Sequence, residues 1–284
     1  MRVTDIHTHG IGGFDTQTAD CGDILKMAEL HGRRGVSVII PTVYPASVET
    51  MRENMAAIRE AMEAQQALGG ERAVIAGINL EGPFLNPSRR GALDAGAFLE
   101  ANAYNLERLT DGFEDLIRIM TVAPEIEGAE GLIRTLSDMG VIVSMGHSDA
   151  TYAEAERGFH AGARGITHIF NAMRGIHHRE PGIAGFGLLN RDVYVEVIAD
   201  PFHLHAKTIE LIFSVKKPGR IIIVSDSVKQ TLTSSGDHGI TGGDGRLSGG
   251  CMTVTGASER LAAMGFDEEV VERCITENPG RYLS

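Results

Sequence analysis

The run VTDIHTHG places His7 and His9 one residue apart at the end of the first apolar stretch. In an extended strand, side chains two apart leave on the same face, so both imidazoles point the same way and suit a shared metal ion. Alone, the pair reads equally well as a polar strand end before a glycine turn. Further along, Glu81, His147, His168 (with Asn171 just beyond) and Asp226 each close a short apolar run. Imidazole and carboxylate are ligands for zinc or iron(II). Each has a bland explanation taken singly: a strand-end histidine is often a hydrogen-bonded turn residue, and Glu81 before GPF would cap a loop. Jointly they point to a metal site. His31, His160, His177, His178, His205 and His238 lack this placement and read as surface or packing residues.

Positioning such groups requires elements that all end at one place. Short apolar runs recur at 3–9, 36–43, 74–81, 118–123, 141–147, 165–171, 193–199 and 220–225, and runs such as VSVII and RIIIV are nearly continuous in apolar character. That is the pattern of parallel strands covered on both sides. Between them lie amphipathic segments. In ETMRENMAAIREAMEAQQAL, Met51, Met55, Ile58 and Met62 repeat at three and four, leaving Arg52, Glu53, Arg59 and Glu60 for water. DATYAEAERGFHAG is expected to start at a Ser148 or Asp149 cap and to end at a glycine. Eight alternations predict an α/β fold, a (β/α)8 TIM barrel, with catalytic groups at the carboxyl ends of its strands. The Gly/Ser/Thr-rich stretch 231–250 reads as a long loop with a small hairpin in GDGRLSGG, and one helix-sized segment, DEEVVERCITENPGRYL, is expected after it.

Composition narrows the partners. At 284 residues the chain suits one such barrel, expected as a single domain over 1–284. A net charge of −12 argues against a nucleic-acid or anionic membrane surface, so an anionic ligand must be met by local positive charge. Cys21, Cys251 and Cys274 are far apart and odd in number, which suggests neither a disulfide framework nor a zinc finger and fits a reducing cytoplasm. No window has the uninterrupted apolar length of a membrane span.

The motifs DIHTHGIGGFDT, LEGPFLNPSRRGA, APE, GHSDA, THIFNAMRGIHHREPG, VIADPFH and VSDS run in order from Asp5 to Asp226. In them the sequence resembles the N-acetylglucosamine-6-phosphate deacetylases of the amidohydrolase superfamily. The resemblance implies that Glu81, His147 and His168 coordinate one divalent metal, and that His7 and His9, with Glu81 and Asp226, hold a second in binuclear members. It further implies that Asp226, as general base, deprotonates a water made acidic by the cation, and that this water attacks the acetamide carbonyl; Asp226 then protonates the departing amine. Asn171, the Ala172 backbone, Arg179 and His203 would meet the sugar phosphate. The counterparts of Arg179 and His203 reach it from a neighbouring subunit, which implies a homodimer.

Four departures accompany the resemblance. Segments before the first strand and after the last helix that would form a flanking β-sandwich are not seen, so a barrel-only form is expected. Leu93 stands where the family has a histidine that holds the acyl group. Pro201 replaces a glycine, and Ser227 follows Asp226 where alanine is common. Two rival readings are a TatD-like metal-dependent nuclease or phosphodiesterase and a catalytically silent barrel that binds a sugar phosphate.

Overall fold

The computed structural model describes residues 2–233 and 238–284. Each of the eight expected runs contains a strand of one parallel sheet: β1 (Thr4–Thr8), β2 (Val38–Val43), β3 (Ile78–Leu80), β4 (Ile117–Val122), β5 (Ile142–Met145), β6 (Gly165–Ile166), β7 (Tyr194–Ile198) and β8 (Ile221–Val224). They pair in chain order. The register is regular where the sequence is most apolar, with Val195 through Ile198 opposite Ile221 through Val224. The seam between β8 and β1 is closed just past the last strand. There the Asp226 N–H donates to the His7 carbonyl at 2.9 Å and the His9 N–H to the Ser227 carbonyl at 2.7 Å. The third run is split. Val74–Ile75 pairs with β2 before Gly77 turns the chain at φ 142°, and an added Cβ there would lie 2.3 Å from the Arg118 side chain. A glycine is needed for both reasons.

Helices α1 (Cys21–Gly32), α2 (Val48–Ala64), α3 (Ala103–Thr110), α4 (Ala129–Asp138), α5 (Tyr152–Ala161), α6 (Gly182–Leu189) and α7 (Ala206–Val215) connect successive strands. This is the expected (β/α)8 barrel. Its strands are apolar on both faces because both are covered. Outward residues such as Val195 and Ile223 join the layer beneath the helices, while Ile6, Ile40, Ile119, Tyr194 and Ile222 form a second cluster in the barrel interior. Tyr282 completes that cluster, made possible by Gly165: a Cβ on that residue would lie 2.1 Å from the Tyr282 hydroxyl.

Local details differ from the sequence reading. Met51, Met55 and Ile58 of α2 are buried, but Arg52 and Arg59 are not left to water. Their guanidinium groups stand over the Phe113 ring, and Arg52 also donates to the carbonyls of Arg108, Leu109 and Asp111. The cap of α5 is Thr151, not Ser148 or Asp149, in a capping box with Glu154. Ser148 and Asp149 are engaged elsewhere, with Glu125 and with Arg89 and Arg174. Three helices follow the long loop instead of one: α8 (Val254–Ala263), α9 (Glu268–Ile275) and α10 (Glu277–Tyr282). α8 buries Val254, Ala257 and Leu261, a stripe at the right spacing but with little apolar bulk. Part of the loop at 231–250 lies outside the described residues; within it Ile240–Thr241 pairs antiparallel with Leu247–Gly249, a hairpin whose turn and second strand fall in GDGRLSGG while its first strand precedes that stretch. Among the described residues no helix is long and apolar enough to cross a membrane.

Candidate metal centre and cavity

The side chains singled out at strand ends converge at one mouth of the barrel. The chain bends sharply there: His147, His168, Ala172 and Asp226 have φ of 46°, 27°, 47° and 47°. Left-handed backbone is unfavourable for residues with a Cβ and tends to be held at functional sites by the surrounding structure. Here it ends the strands and turns the side chains across the mouth.

Glu81 is the hub. Its Oε1 lies 3.1 Å from His147 Nε2, 3.0 Å from His168 Nε2 and 3.4 Å from His7 Nε2, while Oε2 lies 3.2 Å from His9 Nε2. Asp226 Oδ1 faces the same pair of strand β1 histidines, 3.5 Å from His7 Nε2 and 3.4 Å from His9 Nε2. Two ligand sets result, Glu81/His147/His168 and His7/His9/Asp226, within each of which the donor atoms lie within 4.8 Å of one another.

Hydrogen bonds behind the rings fix which nitrogen faces inward. The Nδ1–H of His9 donates to the Thr42 carbonyl, that of His147 to the Arg89 carbonyl, and that of His7 to Glu196 Oε2, each at 3.0 Å. Carbonyl and carboxylate oxygens only accept, so these tautomers leave three Nε2 lone pairs facing the centre. His147 Nε2 and His168 Nε2 stand 3.2 Å apart, and His7 Nε2 is buried without a hydrogen-bond partner among the described residues. Ligand atoms around a tetrahedral first-row ion are about 3.4 Å apart at the bond lengths usual for zinc. The spacings, the tautomers and the orphaned nitrogen fit a divalent metal.

Electrostatics agree. Burial opposes charge on His9, yet Asp226 and Glu81 outweigh it and raise its pKa to about 9. His7 and His168 are likewise raised against burial, His7 chiefly by Glu196 and Glu81 and His168 by Glu81. Burial pushes Glu81 and Asp226 up, and the histidines more than reverse it. Positive charge is demanded here, and protons supply it where a cation does not.

The ligands open into a cavity of about 460 Å³. Asn171, Ala172 and His203 line it, as do Leu93, Tyr44 and Lys229. His203 lines the cavity of its own chain. Its Nδ1–H donates to Asp200 Oδ2 at 2.9 Å. Arg179 is exposed and is not among the described residues lining the cavity. Ser227 faces away from it, hydrogen-bonded to Thr8. The remaining histidines sit as expected outside the site, His31 buried and His177, His178, His205 and His238 exposed.

Three contributors were not singled out from sequence. Tyr44 stacks on His9 with ring centroids 3.8 Å apart. Asp200 holds the His203 ring. Glu196 is 2% exposed on β7; its signal was a lone acid within an otherwise apolar run, YVEVIA.

No family model matches the chain. Over 277 residues it is 34% identical to the N-acetylgalactosamine-6-phosphate deacetylase of Escherichia coli O157:H7, covering 97% of this chain and 71% of that protein. It is 33% identical over 262 residues to the N-acetylglucosamine-6-phosphate deacetylase of Bacillus subtilis, covering 92% and 64%, and 32% identical over 236 residues to that of Vibrio furnissii, covering 83% and 58%. The chain thus spans less than two thirds of the length of the latter two. Among solved structures, the N-acetyl-D-glucosamine-6-phosphate deacetylase of Mycobacterium smegmatis superposes with a TM-score of 0.90 at 27% identity over 99% of this chain and 77% of that one. The Thermotoga maritima enzyme gives 0.87 at 29% over the same shares.

Proposed function

Because the chain belongs to the N-acetylglucosamine-6-phosphate deacetylase family, metal-dependent hydrolases of the amidohydrolase superfamily, we propose that it cleaves the acetamide of an N-acetylated amino-sugar phosphate. N-Acetylglucosamine 6-phosphate is the leading substrate, with glucosamine 6-phosphate and acetate as products. The observation that carries this reading is Glu81, whose two oxygens serve two histidine sets opposite the Asp226 carboxylate.

Glu81, His147 and His168 would hold one divalent ion and His7, His9 and Asp226, with Glu81, a second; zinc and iron(II) both suit these ligands. Bound there, the metal supplies Lewis acidity, polarising the amide carbonyl and easing deprotonation of water. Asp226 accepts the proton of the attacking water as its oxygen bonds to the carbonyl carbon. The C–N bond then breaks, and Asp226 returns that proton to the leaving amine. The held tautomers of His7, His9 and His147 aim their Nε2 lone pairs at the metal, and a metal bound there would keep these rings from competing for it.

His203, steadied by Asp200, and Asn171 with the Ala172 backbone would meet the phosphate from within the chain. Arg179, exposed and away from its own cavity, suits delivery into a second copy, so a homodimer is part of the reading. A single catalytic domain over 1–284 acting in the cytoplasm completes it. The test is acetate release by zinc- and iron(II)-loaded protein from N-acetylglucosamine 6-phosphate, its galactosamine epimer and the unphosphorylated sugar. Turnover that needs both metal and phosphate is expected. Metal-loaded protein that binds the sugar phosphates without turnover would leave a sugar-phosphate-binding barrel instead.

A further inference from the structure

Glu196 belongs neither to the ligand sets nor to the cavity wall, yet it touches both sets from behind. It lies on the inward face of β7 between Tyr194 and Ile198, and its only ion-pair partner among the described residues is His7. A carboxylate placed in such an interior must be compensated. Its Oε2 accepts the His7 Nδ1–H at 3.0 Å and the His168 N–H at 3.4 Å, and its backbone carbonyl accepts the Ile169 N–H at 2.9 Å. One residue therefore holds the ring of a ligand in one set and the left-handed turn that carries a ligand of the other.

The two other fixed rings are backed by neutral backbone carbonyls, Thr42 for His9 and Arg89 for His147. Of the ligand rings, only His7 is backed by a carboxylate among the described residues. A carboxylate behind an imidazole fixes its tautomer and makes the opposite nitrogen a stronger donor to a metal. His7 Nε2 is that nitrogen, aimed between Glu81 and Asp226 with no hydrogen-bond partner of its own among the described residues. We propose that Glu196 is a positioning residue whose buried carboxylate sets the affinity of the His7/His9/Asp226 side and so decides whether a second ion is retained. The proposal rests on the two-ion reading above.

The experiment is metal stoichiometry and chelator-competition affinity for the full chain with zinc, comparing the parent, Glu196→Gln and His7→Ala. Two ions are expected in the parent. Glu196→Gln should weaken one of them about 10- to 100-fold and leave the other unchanged, and His7→Ala should abolish the same one. A parent that binds two ions, with Glu196→Gln unaltered in both affinities, overturns the role of Glu196. A parent that saturates at one ion, insensitive to His7→Ala, overturns the two-ion reading and the proposal with it. Should Glu196→Gln fail to fold, nitrogen NMR of the parent decides: a proton on His7 Nδ1 in the loaded protein supports the assignment, and a proton on Nε2 overturns it.

Discussion

The backbone N–H of Asp226 donates to the carbonyl of His7 at 2.9 Å, and the Asp226 carboxylate stands 3.5 Å from the Nε2 of the same residue. Closure of the barrel and assembly of the site are thus one contact between the end of the eighth strand and the end of the first. The left-handed Asp226 backbone keeps its carboxylate over the mouth. Because that backbone bond needs no particular side chain, the acid can be removed without opening the seam.

Asp226→Asn should therefore fold and keep the Glu81/His147/His168 ion while acetate release falls by roughly 10²- to 10⁴-fold, the usual worth of a general acid-base. Metal analysis beside a turnover assay checks this. Parent-like turnover in the mutant would take Asp226 out of the proton transfers.

Leu93 lines the cavity with a side chain that offers no hydrogen bond, at the position where the sequence resemblance implies an acyl-holding histidine. Leu93→His should raise kcat/KM for the acetamide substrate by roughly tenfold, the scale of one added hydrogen bond. An unchanged or lower value, with better turnover of longer N-acyl chains by the parent, would instead mark Leu93 as the wall of an apolar acyl pocket.

The barrel and the six ligand-type side chains were legible because their signals are local and additive: apolar runs give strands, and five of the eight runs end in or beside a residue that can bind a cation. Glu196 escaped because its meaning depends on His7 lying across the barrel, 189 positions away in sequence. Helix α8 escaped for a different reason. Its buried stripe of Val254, Ala257 and Leu261 carries too little bulk to stand out from a Gly- and Thr-rich surrounding.

His31 is fully buried, its Nε2 3.1 Å from the Thr8 hydroxyl and its Nδ1 without a partner among the described residues. Burial lowers its pKa from 6.5 to about 4. The unfolded chain takes up this proton below 6.5 and the folded one only near 4, so stability is full above 6.5 and is lost as pH falls toward 4. At about 1.4 kcal/mol per pH unit the loss is roughly 3 kcal/mol. Urea midpoints across that range, for the parent and His31→Gln, should show a steep acid decline that the mutant reduces. Parallel declines in the two proteins would assign the acid sensitivity elsewhere.

Removing the metal should reverse the alkaline side of the stability profile. In the metal-free chain His9 carries a proton held by Asp226 and Glu81, with its pKa raised to about 9. A base raised in this way contributes stability that is fully present below 6.5 and is lost as pH rises through about 9. In the loaded protein the same nitrogen must be deprotonated to bind, so metal affinity strengthens over the same interval, and an ion at a thousand times its Kd adds about 4 kcal/mol. Urea unfolding from about pH 6 to about pH 9, with zinc or with a chelator, should therefore give curves that diverge as pH rises: chelated protein weakening, loaded protein holding or gaining. Curves that stay parallel would mean that the buried histidines are not exchanging protons for a cation, and would remove the electrostatic support for the metal centre.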